Sequence, residues 1–520
     1  MRKDVRIGAA FLLDKEPEAC ETPSMPDSQK KKLKFRIVRE CLLALVLSAG
    51  SSMAEDIYVS QMQQGGGWGT NSACAKSVAW FNAAANWGSG ANKISVGDTV
   101  HLVGTITNSL TVLMSGAPGS PITILFEPNA SIAMPAVPAT GAINCQKRSY
   151  LTIDGGVNGV IRSTDNGTAR GNQVNSIGVD WEGSGGLIAG LTIQNLTITN
   201  LYVRTANSSD VNGSGKGVYV TGALTNSVVR NCAISWCASG ILIAYSPGRS
   251  LDIECYSNSV SHCNQAITVG DADRNAVVDG LAVHDNRINL FDDWEDPGAY
   301  FHHDGIFVFA ANPGSFMTNL SVFNNVIGPY FGTHITAAIY TVSTPANGIR
   351  NAAIYNNVLF TATNKAPSCG FIDAGYVQGG CICNNTLDAN GYGGIGVMVS
   401  NGTNIMIVNN AMTGINYPIY VGVAGWIEIC DYNGYYYGGK AVSAYYGGAI
   451  ISYAKWGMLG FDKHSVVAYP AYTGGAAFDF RLQSSSPFIN AGLNLSPLCT
   501  SDILGVTRPR GLAWDLGAYE

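Results

Sequence analysis

The densest run of side chains able to move protons lies between residues 292 and 304: Asp292, Asp293, Trp294, Glu295 and Asp296, then His302, His303 and Asp304. Imidazoles titrate near neutrality and carboxyls can be driven there by burial, so this run suits general acid–base chemistry. Asp271 and Asp273 follow the strand of the preceding repeat, and His262 and His334 fall near the matching point of the flanking repeats. Glycoside hydrolysis needs two carboxyls across the scissile bond. Asp304 with Asp271, Asp273 or a loop acid meets that need, and His302 and His303 are candidate bases. The oxygens of Asp292, Asp293, Glu295 and Asp296 also suit a calcium ion, and a merely solvated acidic loop fits equally well. No cofactor is required for hydrolysis.

These residues are positioned by an internal repeat with two alternating parts. One is an Asn followed two or three residues later by an aliphatic side chain: Asn195, Asn231, Asn258, Asn286, Asn325, Asn357, Asn385 and Asn410. The other is a small residue that opens a short alternating strand: Gly217-Val-Tyr-Val, Gly240-Ile-Leu-Ile, Ala266-Ile-Thr-Val, Gly305-Ile-Phe-Val, Ala338-Ile-Tyr-Thr, Gly370-Phe-Ile-Asp and Gly394-Ile-Gly-Val. Successive Asn positions lie 25 to 39 residues apart, a solenoid period. Period-two, β-branched segments make parallel stacked strands rather than helical repeats. Asn adopts left-handed turns and bonds to its neighbours, so stacked copies are expected to form a ladder.

The pattern resembles the right-handed parallel β-helix superfamily of pectate-lyase-like proteins over about residues 95–430. The resemblance implies an all-β solenoid that works on or holds polysaccharide along one wall. His303-Asp304-Gly305-Ile306 resembles the Asn-Thr-Asp-Gly segment of polygalacturonase-type hydrolases, with Asp304 at the catalytic Asp. The following Asp-Asp pair, Gly-His-Gly and Arg-Ile-Lys of those enzymes have no counterpart in register. The tail, with Asp479-Phe-Arg-Leu, Ser486-Pro-Phe-Ile-Asn-Ala-Gly492, Arg508-Pro509 and Asp515-Leu-Gly-Ala-Tyr-Glu520, resembles the closing element of secreted bacterial members. This assigns Arg508, Arg510 and Asp515 to structure.

The distance from ladder Asn to small residue is 8 or 9 in the Asn231, Asn258 and Asn385 coils, 13 in the Asn325 and Asn357 coils, 19 after Asn286 and 22 after Asn195. Insertions at one corner build one wall, so the loops at 203–216 and 289–304 are expected to flank a groove. On its floor, pleat parity turns Tyr219, Phe307 and Tyr340 outward, where their faces suit sugar rings. Trp294, His262, His334 and Lys216 are further candidate contacts. Lys216, Arg230, Arg249 and Arg274 are expected near the groove, and elimination on a uronate polymer, which needs a base and cations, is the alternative to hydrolysis. A glycan-binding or adhesion solenoid without catalysis is the third class.

At the N-terminus, Lys30 to Arg36 leads into the apolar run Leu42–Leu47 and the small-residue motif Ser52-Met53-Ala54, which reads as an export signal cleaved after Ala54. The protein is therefore expected to be secreted, periplasmic or on a bacterial cell surface, without stable membrane insertion, as a monomer. Residues 55–94 are assigned to an N-terminal cap with a helix over Ser77–Trp87, 95–430 to the β-helix and 431–520 to the closing segment. After residue 54 the chain has 20 Lys and Arg against 29 Asp and Glu, a net −9 that disfavours nucleic acid. Eleven Cys remain, an odd number that leaves at least one thiol unpaired. Cys237 and Cys263 occupy equivalent positions, bonded or merely stacked. His101, His284 and His464 read as structural.

Overall fold

The structure, a computed structural model, describes residues 54–165, 176–201, 215–290, 303–332, 335–344, 348–362, 366–423 and 425–520. The export signal lies outside the described residues. No described helix is long and apolar enough to cross a membrane.

The chain winds into a right-handed parallel β-helix whose coils stack strand on strand. Three aliphatic ladders fill the interior. In the first, Val179, Val218, Ile241, Ile267, Ile306, Ile339, Ile372, Val397 and Ile419 stand in register. The second runs from Ile124 through Ile193, Val283 and Ile354 to Ile407, and the third from Ile106 through Ile234, Ile288 and Leu387 to Tyr435. Each such fully buried aliphatic side chain contributes about 1.5–3 kcal/mol relative to exposure. No coil can bury its apolar face alone, which is why the repeat must stack.

The asparagine ladder is present with a corrected membership. Asn258, Asn286, Asn325, Asn357, Asn385, Asn410 and Asn433 form it. Each donates its backbone N–H and its Nδ2 to the Oδ1 of the next at 2.9–3.1 Å, and all are buried. Asn195 and Asn231 stand one position earlier, at the left-handed turn also occupied by Asn324, Asn356, Asn384 and Asn409. In their coils Leu196 and Cys232 hold the ladder position. Both kinds of Asn are followed by the same strand, so adjacent turn and ladder positions read alike in sequence.

The register of the first stack also corrects two strand starts. Ile339 pairs with Ile372, which pairs with Val397. The position equivalent to Gly305 and Ala338 is therefore Phe371 and Gly396, not Gly370 and Gly394. Because side chains alternate, the one-residue slip at Gly370 turns Asp373 from inward to outward.

At the first coil, Ser77 Oγ accepts from Trp80 N–H at 3.1 Å and caps a short helix, Val78–Phe81. A separate 3-10 turn, Ala84–Asn86, follows, so the expected single helix is broken, and Trp87 packs edge-on against Phe81. The closing segment folds back along the flank. Asn356, Asn384 and Asn409 donate through Nδ2 to Ser501, Asp515 and Leu493 carbonyls at 2.7–3.1 Å, and Arg508 makes a fully buried ion pair with Glu520 at 2.9 Å. All eleven described Cys are free thiols. Cys237 and Cys263 are stacked in register, each donating to the carbonyl two residues before it.

Candidate functional site

The outward face of the first stack carries one continuous row of side chains. In register it reads Asn144, Asp180, Tyr219, Leu242, Thr268, Phe307, Tyr340, Asp373, Met398, Tyr420 and Tyr445. Phe307 stacks on Tyr340 with ring centroids 5.2 Å apart and planes 12° apart, and Tyr420 stacks on Tyr445 at 4.1 Å. Aromatic faces along a repeat of about 4.8 Å form a platform on which flat, partly apolar faces can lie.

Asp304 meets this row from the strand start. A Cβ added at Gly305 would lie 3.2 Å from the core side chain of Ile327 and 2.5 Å from the Ala338 carbonyl oxygen. Gly305 thus faces inward, as Ile306 does, and the bend between them turns Asp304 outward. The side chain is nevertheless fully buried. Its Oδ1 accepts from Ala337 N–H of the next coil at 3.2 Å. Both Asp304 and Asp373 act electrostatically on the Tyr340 hydroxyl and the Cys369 thiol, which places the two carboxyls around one tyrosine. Burial, reinforced by Asp373 and Asp304, holds the Tyr340 hydroxyl well above the usual range for tyrosine.

Asp373 was not among the candidates read from the sequence. It is 4% exposed, and its Oδ1 has no hydrogen-bond partner among the described residues. Burial alone pushes its carboxyl up to about 7. The one-residue slip described above hid it, whereas aligning Ile339-Tyr340-Thr341 on Ile372-Asp373-Ala374 places it outward. Cys369, in line with Thr336 and His303 through the strand-entry hydrogen bonds, completes the surroundings.

The other candidates distribute as follows. His303 is buried beside Asp304, its N–H donating to Thr336 Oγ1 at 3.2 Å and its carbonyl accepting from Thr336 N–H. Asp271 does not reach Asp304. It lies six residues past Gln265, the partner of Asp304, or about 20 Å along the strand. Its two carboxylate oxygens accept from the N–H groups of Ala311 and Asn312, which fixes a turn. Asp273 is further along the same turn, with Oδ1 on Arg274 N–H. Of the basic residues, Lys216 lies at the strand start level of Asp304, above the Tyr219 ring at 5.2 Å. Arg230 instead belongs to the second stack, bonded to Gln194 and Tyr256, and Arg249 pairs there with Asp279. His262 stacks on the half-exposed Trp236 at 4.3 Å, an aromatic the sequence reading passed over. His302, His334, Asp292, Asp293, Trp294, Glu295 and Asp296, with most of both expected groove walls, lie outside the described residues. Among the described residues no three His, Cys, Asp or Glu gather as a metal site.

At the other end of the row Asp180 opens a cleft of about 440 Å³ with Asn144, Gln146, Lys147, Arg148 and Glu182 on its walls. Asp180 is 4% exposed and its Oδ1 lacks a hydrogen-bond partner among the described residues. Burial and Glu182 raise its carboxyl to about 6, against the lowering effect of Glu182 N–H and Lys216. Gly178-Val-Asp-Trp repeats the Gly217-Val-Tyr-Val pattern, so the outward direction of Asp180 was legible.

Comparison with known proteins adds likeness without a family. No family model and no curated protein matches the sequence. Among solved structures, the GH136 lacto-N-biosidase from Eubacterium ramulus is similar in its selenomethionine form, with 15% identity and a TM-score of 0.41 over 72% of this chain and 68% of that one. Its native form gives 16% and 0.44 over 66% and 65%. Pectate lyase Pel9A gives 15% and 0.43 over 91% of this chain and 97% of that one.

Proposed function

We propose that this protein is an exported glycoside hydrolase that binds a polysaccharide along the Tyr219–Tyr445 row and cleaves it beside Tyr340. The observation that carries this reading is the placement of two carboxyls, Asp373 and Asp304, around one tyrosine of an aromatic platform, with Asp373 protonated near neutrality. Asp373 is the proton donor to the leaving oxygen. Asp304 is the second carboxylate. The two residues are two coils and three strand positions apart, about 14 Å between Cα atoms. A covalent, retaining mechanism needs carboxyls only about 5 Å apart, so this spacing favours inversion through a water.

A panel of neutral and uronate polysaccharides tests the assignment. New reducing ends without an unsaturated-uronate absorbance are expected. The absorbance together with new ends would replace hydrolysis by elimination, and neither signal on any glycan that binds would leave a binding solenoid.

A further inference from the structure

The cleft at Asp180 has a chemistry of its own. Arg148 is half-buried, and its Nε has no hydrogen-bond partner among the described residues. Arg148 and Asp180, whose Oδ1 is also without a partner among the described residues, line the same cleft, and Lys147 and Glu182 line it too. Trp181, fully buried, donates from Nε1 to the Arg148 carbonyl at 2.7 Å and ties that wall to the Asp180 strand. A buried unpaired donor and a buried unpaired acceptor are each costly unless a ligand satisfies them. A planar guanidinium is matched to a carboxylate, whereas adjacent Asp and Glu side chains are matched to hydroxyl pairs.

We infer that this cleft is a subsite for an acidic sugar, in which Arg148 takes the carboxylate of a uronosyl residue and Asp180 and Glu182 take its hydroxyls. The subsite rests on the reading that the row binds glycan and extends it, because Asp180 stands on the same row six coils from Asp373, about 29 Å away. The bound chain thus runs upstream of the cleavage point, and its acidic unit sets where along the polymer the enzyme settles. The charged groups facing Asp180 are Glu182, Lys216, Arg148 and Lys147, with the Tyr219 hydroxyl and Cys145 thiol close by. Protonating Asp180 below about 6 removes negative charge beside the anionic sugar, so binding tightens as the pH falls from 7.5 to 5.

Isothermal titration of the full chain with trigalacturonate and with neutral trigalactose tests the assignment. Trigalacturonate is expected to bind at least about tenfold more tightly. Arg148→Met is expected to bring the two within about twofold, and Arg148→Lys, which keeps the charge but not the planar fork, to fall between. Asp180→Asn is expected to abolish the pH trend. Equal affinities in the parent, or an acidic preference that survives in folded Arg148→Met, would overturn the subsite. Turnover of glycans without acidic preference removes the subsite and leaves the hydrolase; acidic preference without turnover of any glycan removes the hydrolase and leaves the subsite.

Discussion

Asp180 and Asp373 occupy the same outward position of the same stack, six coils apart, and burial raises both, yet their neighbours give them different work. Around Asp180 are a second carboxylate and several cations in an open cleft, so its proton leaves near 6 and the site is built to face a charged ligand. Around Asp373 burial acts without a compensating cation, and the carboxyl holds its proton to about 7 between Tyr340 and the Asp304 side. A solenoid repeats backbone geometry at every coil. What distinguishes a binding rung from a reacting one is therefore the company that each side chain keeps.

The largest expected effect sharpens this contrast through stability. The folded state raises the Asp373 pKa, so between about pH 4 and 7 the native chain holds a proton that the unfolded chain has released. Stability then falls as pH rises through that window and levels off above it, with Asp373 accounting for up to about 4 kcal/mol. Urea unfolding of the parent and of Asp373→Asn from pH 4 to 8 is expected to show a shallower slope in the variant, because Asp180, Asp388 and Asp515, raised to about 6, keep their share. Equal slopes would mean that the carboxyl is solvated.

A somewhat smaller effect should separate the two ends of the molecule. The asparagine ladder spans the coils from Asn258 onward, while Leu196 and Cys232 hold its place upstream. Asn357→Ala removes the Oδ1 that accepts from both the backbone N–H and the Nδ2 of Asn325. Asn325 Nδ2 keeps the Val283 and Phe323 carbonyls, but its buried backbone N–H is left unmet, which costs about 1–3 kcal/mol. Because each coil contacts its neighbours, hydrogen exchange should accelerate around Asp373 and much less around Asp180. Uniform acceleration would show that the solenoid unfolds as one unit.

The fold was legible because its causes are local and repeated: aliphatic residues at period two, a small residue at most strand entries and an Asn at successive corners. Its errors came where two positions carry the same residue type. Asn231 sits at the turn and Asn258 in the ladder, and only the hydrogen bonds tell them apart. Gly370 looks like a strand entry but precedes it by one residue, and that slip concealed Asp373. Asp271 attracted attention as a carboxylate near the His cluster, although the backbone N–H groups of Ala311 and Asn312 already claim it. Which coil a side chain shares a rung with depends on register, and register across coils of unequal length is set by packing rather than by residue counting.

The most direct test of the two-centre account compares Asp373→Asn with Asp180→Asn on the polysaccharide that the parent cleaves best, with folding of each verified by circular dichroism. The account predicts that Asp373→Asn lowers kcat by about a hundredfold or more, as loss of a general acid does, while Asp180→Asn leaves kcat within a few-fold and acts on KM alone. A folded Asp373→Asn protein that retains near-parental kcat, or an Asp180→Asn protein that loses kcat in its place, would contradict it.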